Sequence, residues 1–152
     1  NENDIINIQK QWAEQVIYLG TLAANVNRAK DHATGFVNKM YAFNHSDGCV
    51  FKPTKAYKAP FRLSEKAAVS YFVGDNPDFA EDKGFAFNPW KEVLFKNEKI
   101  FCYKETALAS GHYYFTDPEQ NKIKVEYTFA YILTPKGEIK INLHHSSLPY
   151  TP

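Results

Sequence analysis

The sequence predicts an α+β fold in which helices cover one face of a curved antiparallel sheet. Two observations carry this. Apolar residues in the first half recur at helical spacing, whereas the second half is a run of β-rich, aromatic segments broken by turn signals. There are no internal repeats and no low-complexity stretch, so one domain spanning residues 1–152 is expected.

Taken in order, Ile5, Ile8, Trp12, Val16, Leu19, Ala23 and Val26 recur at steps of three and four and form one apolar stripe. Asp4 is a candidate cap, because its carboxylate accepts from the free N–H groups of a first turn. A second helix is predicted over about 30–43, with Phe36, Val37, Met40 and Tyr41 on one side. NHSDG at 44–48 reads as a turn. CVFKPT is a short strand that stops at Pro53, which cannot donate to a ladder. Ser64 opens SEKAAVSYFVG, a helix closed by Gly74, and DNPDFAEDKG is a polar loop. GFAFNPWKEVLF, KIFCYKETALASGHYYFTD, IKVEYTFAYILT and GEIKINLHHSS then supply the strands, with DPEQN and TPKG as hairpin connections.

Composition excludes several partners. Eighteen Lys and Arg against 17 Asp and Glu leave a net charge of +1 without a basic stripe, which argues against nucleic-acid binding. No apolar run approaches the roughly 20 residues that span a bilayer, so no membrane is expected as partner. The chain begins NENDIINIQK, without Met and without an apolar signal core. That start fits a periplasmic or secreted protein freed of a signal segment, or otherwise a cytoplasmic one. Cys49 and Cys102 lack metal-ligand spacing and are expected to be small, buried, reduced residues.

The terminal strand carries the chemistry-bearing side chains. Strand residues alternate between faces, so Ile139, Ile141, Leu143, His145 and Ser147 share one face and Lys140, Asn142, His144 and Ser146 the other. The first set is apolar until its last two members, which predicts that His145 and Ser147 face the core. They read either as a hydrogen-bonded core pair or as a His and a Ser aimed into a cavity. Adjacent histidines on a strand point apart and no second ligand cluster exists, so a metal site is the weaker reading. Phosphate loops (GxxxxGK, GxGxxG) and the GxSxG elbow are absent, and no acid follows the serines to complete a hydrolase triad.

VFKPTKA, FRLSEKAAVSYFVG, GFAFNPWKEVLF, VEYTFAY and HHSSLPY together resemble the iota-class carbonic anhydrases. The resemblance covers nearly the whole chain from about Val50 onward. It implies a cone of helices against a strongly curved antiparallel sheet, as in nuclear transport factor 2 and the association domain of calmodulin-dependent protein kinase II. It also implies hydration of CO2 to bicarbonate and a homodimer; some members of the family work without a metal and others with zinc or manganese, and the metal-free form, with no cofactor, is the one expected here. By motif it points to Thr54 in KPT, Tyr71 in SYF, and His145 and Ser147 in the terminal motif, with Thr54, Tyr71 and Ser147 binding substrate. His145 is the natural proton acceptor in this reading. Arg62, between aromatics, reads as either a bicarbonate attractor or a surface ion pair and stays outside the expected site. Two alternatives remain at this point: a non-catalytic association or small-molecule-binding domain, and a cone-fold isomerase or dehydratase. The latter needs a carboxylate base in the cavity. The dimer is expected through the outer sheet face, where aromatic strands leave apolar surface that helices do not cover.

Overall fold

The computed structural model describes residues 1–45 and 47–152; Ser46, inside the predicted turn, lies outside the described residues. The first helix, α1, runs Glu2–Gly20. Asn1 is its cap, and Asp4 closes a capping box by accepting from the Asn1 amino group at 2.6 Å, so the cap sits three residues before the predicted one. Ile5, Trp12, Val16 and Leu19 are buried, as their spacing requires. Helix α2 spans Val26–Met40. It starts earlier than predicted because Asn25 accepts from the Arg28 amide at 3.1 Å and opens the helix there. Val26, counted with the first stripe, therefore belongs to α2. The strand β1, Val50–Lys52, leads to α3, Glu65–Val73, capped by Ser64 and ended by Gly74 at φ 65°.

The segment Phe85–Phe87 is a 3-10 turn, not the predicted strand, and Pro89 follows it. Four long strands come next: β2 Glu92–Tyr103, β3 Thr106–Thr116, β4 Lys122–Leu133 and β5 Ile139–Ser147. The predicted DPEQN and TPKG turns connect the last three; Gly137 at φ 82° turns the second. The sheet order is β1-β5-β4-β3-β2. All long strands pair antiparallel, but β1 pairs parallel with β5, Phe51 standing beside His144. No hairpin joins these two strands, so nothing in the connection imposes an antiparallel pairing. The end of α2 runs into the same edge, where the Ala42 amide donates to Ile141 O at 2.8 Å.

β2 bulges between Asn97 and Lys99, opposite Gly111. A Cβ on Gly111 would stand 2.2 Å from Lys96 O, so only glycine fits that close approach. The inner sheet face and the helices enclose an aromatic core centred on Trp12, which packs against Phe36, Phe72, Phe95, Tyr113, Phe115 and Phe129. Truncating a buried aromatic of this kind costs about 3–5 kcal/mol. Cys49 is buried as expected, whereas Cys102 is exposed near the end of β2; both are free thiols. Among the described residues no helix is long and apolar enough to cross a membrane.

Candidate active site

The pairing of β4 with β5 contains the decisive irregularity. Leu133, Ile132 and Tyr131 face Ile139, Lys140 and Ile141, but Ala130 then faces Leu143. Asn142 is the extra residue of a β-bulge, and every residue after it changes face. Phe129 consequently opposes His144, and Tyr127 opposes Ser146. His144 and Ser146 are 1 % and 2 % exposed, while His145 is exposed. The alternation counted from Ile139 is thus corrected: His145 and Ser147 lie on the outer face, and their neighbours enter the core. His145 and Ser147 line an outer groove with Glu126 and His112, whose Nε2 and carboxylate are 3.2 Å apart.

His144 is sandwiched between Phe129 and Phe51, at ring-centroid distances of 3.9 and 4.8 Å. Both ring nitrogens are engaged. Nδ1 is 2.8 Å from Tyr41 Oη and Nε2 is 3.0 Å from Tyr113 Oη. Burial, with a smaller contribution from the neighbouring His145, holds His144 well below the usual imidazole range, so the ring is neutral. Burial also pushes the Tyr41 and Tyr113 phenols up, so both stay protonated. Tyr41 Oη in turn receives the Trp12 indole N–H at 2.9 Å.

Ser146 lies two residues further along β5. Its hydroxyl is 2.8 Å from Thr54 Oγ1. Thr54 follows β1, which parallel pairing with β5 aligns beside the motif. Tyr71 reaches the same segment from α3, its Oη accepting from the Lys55 amide at 3.2 Å. Burial raises the Tyr71 phenol as well. A half-open cleft of about 420 Å³ lies beside Tyr71, walled by Phe85, Phe87 and Trp90 with Lys55 and Lys83. Of the four predicted site residues, Thr54 and Tyr71 meet on one segment, and it is Ser146, not Ser147, that joins them.

Two carboxylates at this cleft are already committed. Arg62 is fully buried and grips Asp82 with both terminal nitrogens at 2.7 Å, and Ser70 donates to Asp82 at 2.6 Å. Arg62 therefore braces the loop from within and is neither of its sequence readings. Glu81 accepts the amides of Tyr57, Lys58 and Ala59, which hold its carboxyl below the usual range. Neither acid is free to serve as the base an isomerase needs. Glu126 is exposed on the outer face. Among the described residues no group of three or more His, Cys, Asp or Glu is placed to hold a metal ion.

Trp12 and Tyr41 enter the sequence reading only as members of apolar helix faces, and Tyr113 is not singled out there. Their hydroxyls and indole N–H are signals of polarity, but pattern does not say which of many aromatics points at a histidine.

A cone of helices on a curved sheet, with buried phenols around an imidazole and the paired Thr54 and Ser146 hydroxyls near Tyr71, defines an enzyme-like site built on hydroxyl donors. Comparison with known proteins gives the particular family. Residues 3–148 match the family model for metal-independent carbonic anhydrase. A metal-independent carbonic anhydrase of Nostoc sp. strain PCC 7120 is 35% identical over 152 residues, covering 98% of this chain and 74% of that one. The crystal structure of a cyanobacterial iota-carbonic anhydrase complexed with bicarbonate superposes with a TM-score of 0.94 at 34% identity, over 100% of this chain and 94% of that one. An association domain assigned to calcium/calmodulin dependent protein kinase II in Xanthomonas campestris shares the fold, with a TM-score of 0.65 at 18% identity over 100% and 90% of the two chains. The chain belongs to the metal-independent carbonic anhydrase family, and carbonic anhydrase activity without a metal cofactor is its function.

Proposed function

We propose that CO2 and water react where Thr54 and Ser146 meet beside Tyr71, giving bicarbonate and a proton. The observation that carries this is the 2.8 Å contact between the Thr54 and Ser146 hydroxyls, with the Tyr71 phenol held on the next residue, Lys55. CO2 is apolar and suits aromatic walls; the developing bicarbonate is anionic and needs donors. Thr54 and Ser146 each donate and accept, so they orient the attacking water and stabilise charge on the oxygens. Tyr71 supplies a third hydroxyl while holding the backbone amide of Lys55, the residue after Thr54. His144 works from behind: both its nitrogens are occupied and burial keeps it neutral, so it polarises Tyr113 and takes no proton from water. That proton leaves through the open cleft to solvent. The role assigned to His145 and Ser147 from the sequence is not retained, because both face outward. The bicarbonate complex of the cyanobacterial relative supports the same ligand here.

The test is Thr54→Val, which keeps shape and removes the hydroxyl. Stopped-flow CO2 hydration, run with and without chelator, should fall about 100- to 1000-fold in the folded variant and be indifferent to chelation. A rate equal to wild type refutes the site.

The chain also forms a homodimer in this reading, through the outer sheet face. Register lines up Phe101, Leu108, Ala130 and Leu143 across four strands, and Phe101 and Leu108 are exposed. Such a row is self-complementary about a two-fold axis. Light scattering of wild type and Leu108→Lys reads it; a monomer mass for wild type at micromolar concentration refutes it.

A further inference from the structure

Thr54 stands on a loop that does not hold its own shape. Phe51 and Arg62 exchange backbone hydrogen bonds at 3.1 and 2.7 Å and close its ends. Between them, among the described residues, no backbone-to-backbone hydrogen bond involves residues 53–61. The side chains do not anchor it either: Tyr57 is 90 % exposed and Phe61 61 %, and Lys55 and Lys58 are exposed. The amides of such a loop must take their partners from other elements or from water.

Those partners come from α3 and the polar loop after it. Tyr71 Oη accepts the Lys55 amide at 3.2 Å. Glu81 takes three consecutive amides: Oε1 accepts from Tyr57 and Lys58 at 2.7 and 3.1 Å, and Oε2 from Ala59 at 2.8 Å. Bonds to a carboxylate are stronger than bonds to a neutral acceptor. Arg62 adds to the hold by donating Nε to the Ala59 carbonyl at 2.7 Å, and its Nη2 stands 3.9 Å from Glu81 Oε2. The guanidinium is itself fixed on Asp82 and on Ala67 O of α3, the latter at 2.9 Å. Glu81 therefore ties the loop to the body that carries Tyr71, while Thr54 ties it to the sheet through Ser146.

We infer that Glu81 is a positioning residue for CO2 hydration: by collecting the amides of residues 57–59 it sets the course of the loop and so holds the Thr54 hydroxyl against Ser146. This rests on the site reading above. Both Glu81 oxygens are spent on amides, so the carboxylate acts through Thr54 and not on the reacting atoms. A misplacement of about 1 Å at a reacting group costs about 100-fold in rate. Releasing three amides of a loop without backbone bonds of its own gives Thr54 that freedom.

The experiment is stopped-flow CO2 hydration of Glu81→Ala, Glu81→Gln, Thr54→Val and the Glu81→Ala/Thr54→Val double variant, with hydrogen exchange of the loop amides followed by NMR. In wild type the Tyr57, Lys58 and Ala59 amides should exchange slowly. Glu81→Ala should open all three to exchange and lower kcat about 100-fold, with KM within about twofold. Glu81→Gln keeps one carbonyl oxygen for Tyr57 and Lys58, so it should retain their protection, lose that of Ala59 and stay within about tenfold of wild type. Added to Thr54→Val, Glu81→Ala should cost less than about threefold further, because residues acting through one hydroxyl fail as a unit. Fast exchange of these amides in wild type overturns the inference. So does a Glu81→Ala protein with all three amides released at full kcat, or one whose loss is undiminished in the Thr54→Val background, since that is a general packing effect. A Glu81→Gln protein as slow as Glu81→Ala with its amides protected marks a direct proton transfer and also overturns it. If Glu81→Ala does not fold, Glu81→Asp, too short to reach all three amides, takes its place in both comparisons and the same outcomes decide. Thr54→Val at full rate sinks the site reading itself; a slowed Thr54→Val beside a Glu81→Ala protein at wild-type rate sinks only this inference.

Discussion

Exchanging the last two hydroxyls for hydrogen is the sharpest probe of the bulge. Ser146 is 2 % exposed and its Oγ bonds Thr54 at 2.8 Å. Ser146→Ala removes the hydroxyl partner of Thr54 Oγ1. One orphaned buried hydroxyl costs about 1–3 kcal/mol, against a typical domain stability of about 5–15 kcal/mol, so the variant should remain folded at 25 °C. Its rate should fall about 100- to 1000-fold, the usual loss for an oriented donor in a dry site. Ser147→Ala sits on the outer face, where substitutions change stability by about 0.5 kcal/mol or less and should leave the rate within about twofold. The assay is stopped-flow CO2 hydration with a pH indicator, controlled by thermal melts of both variants. A Ser147→Ala protein slowed a hundredfold beside a wild-type-like Ser146→Ala protein would mean that the inward pair is the one strict alternation predicts. The reasoning from the bulge would then fail.

Three further outcomes are expected. The depressed pKa of His144 makes stability pH-dependent. The unfolded chain takes up a proton at about pH 6.5 while the folded ring stays neutral, so stability is full above that pH and declines as pH falls below it, by up to about 1.4 kcal/mol per pH unit from this group. Thermal melts between pH 8 and 5 test this, and a His144→Phe variant that retains the same slope would assign it elsewhere. Asp82→Asn should lower stability by about 3–5 kcal/mol, because it leaves the fully buried Arg62 guanidinium with only the Glu81 carboxylate, 3.9 Å away, as counter-charge; urea titration reads the loss, and a shift under about 1 kcal/mol would contradict the brace. Gly111→Ala should cost about 1–3 kcal/mol, since its Cβ meets backbone atoms of the β2 bulge that have little freedom to withdraw.

Much of the fold is written at the level of spacing. The Ile5–Trp12–Val16–Leu19 stripe places α1, Ser64 and Gly74 bracket α3, and DPEQN and TPKG turn the hairpins. Thr54 and Tyr71 are recoverable because short motifs fix them relative to an edge strand and a helix. The terminal pair is not. Ile139, Lys140, Ile141, Asn142 and Leu143 alternate cleanly, and only pairing with β4 forces one residue out of step. A bulge is a property of two strands together, so one strand read alone does not contain it. The parallel pairing of β1 is hidden for the same reason. Tyr41 is legible as a core residue, but the directions of the Tyr41 and Tyr113 hydroxyls depend on His144, 103 and 31 residues away along the chain.

The one-residue bulge at Asn142 has a consequence for the motif that follows it. His-His-Ser-Ser reads alike in both frames: slide the strand by one position and a histidine still points inward, with a serine two places after it. Chemistry at this strand is therefore redundant against a slip that would ordinarily replace every inward side chain by its solvent-facing neighbour. What the bulge selects is which copy sits under Tyr41 and Tyr113, and the spare copy is left outside, free to vary without touching the reaction.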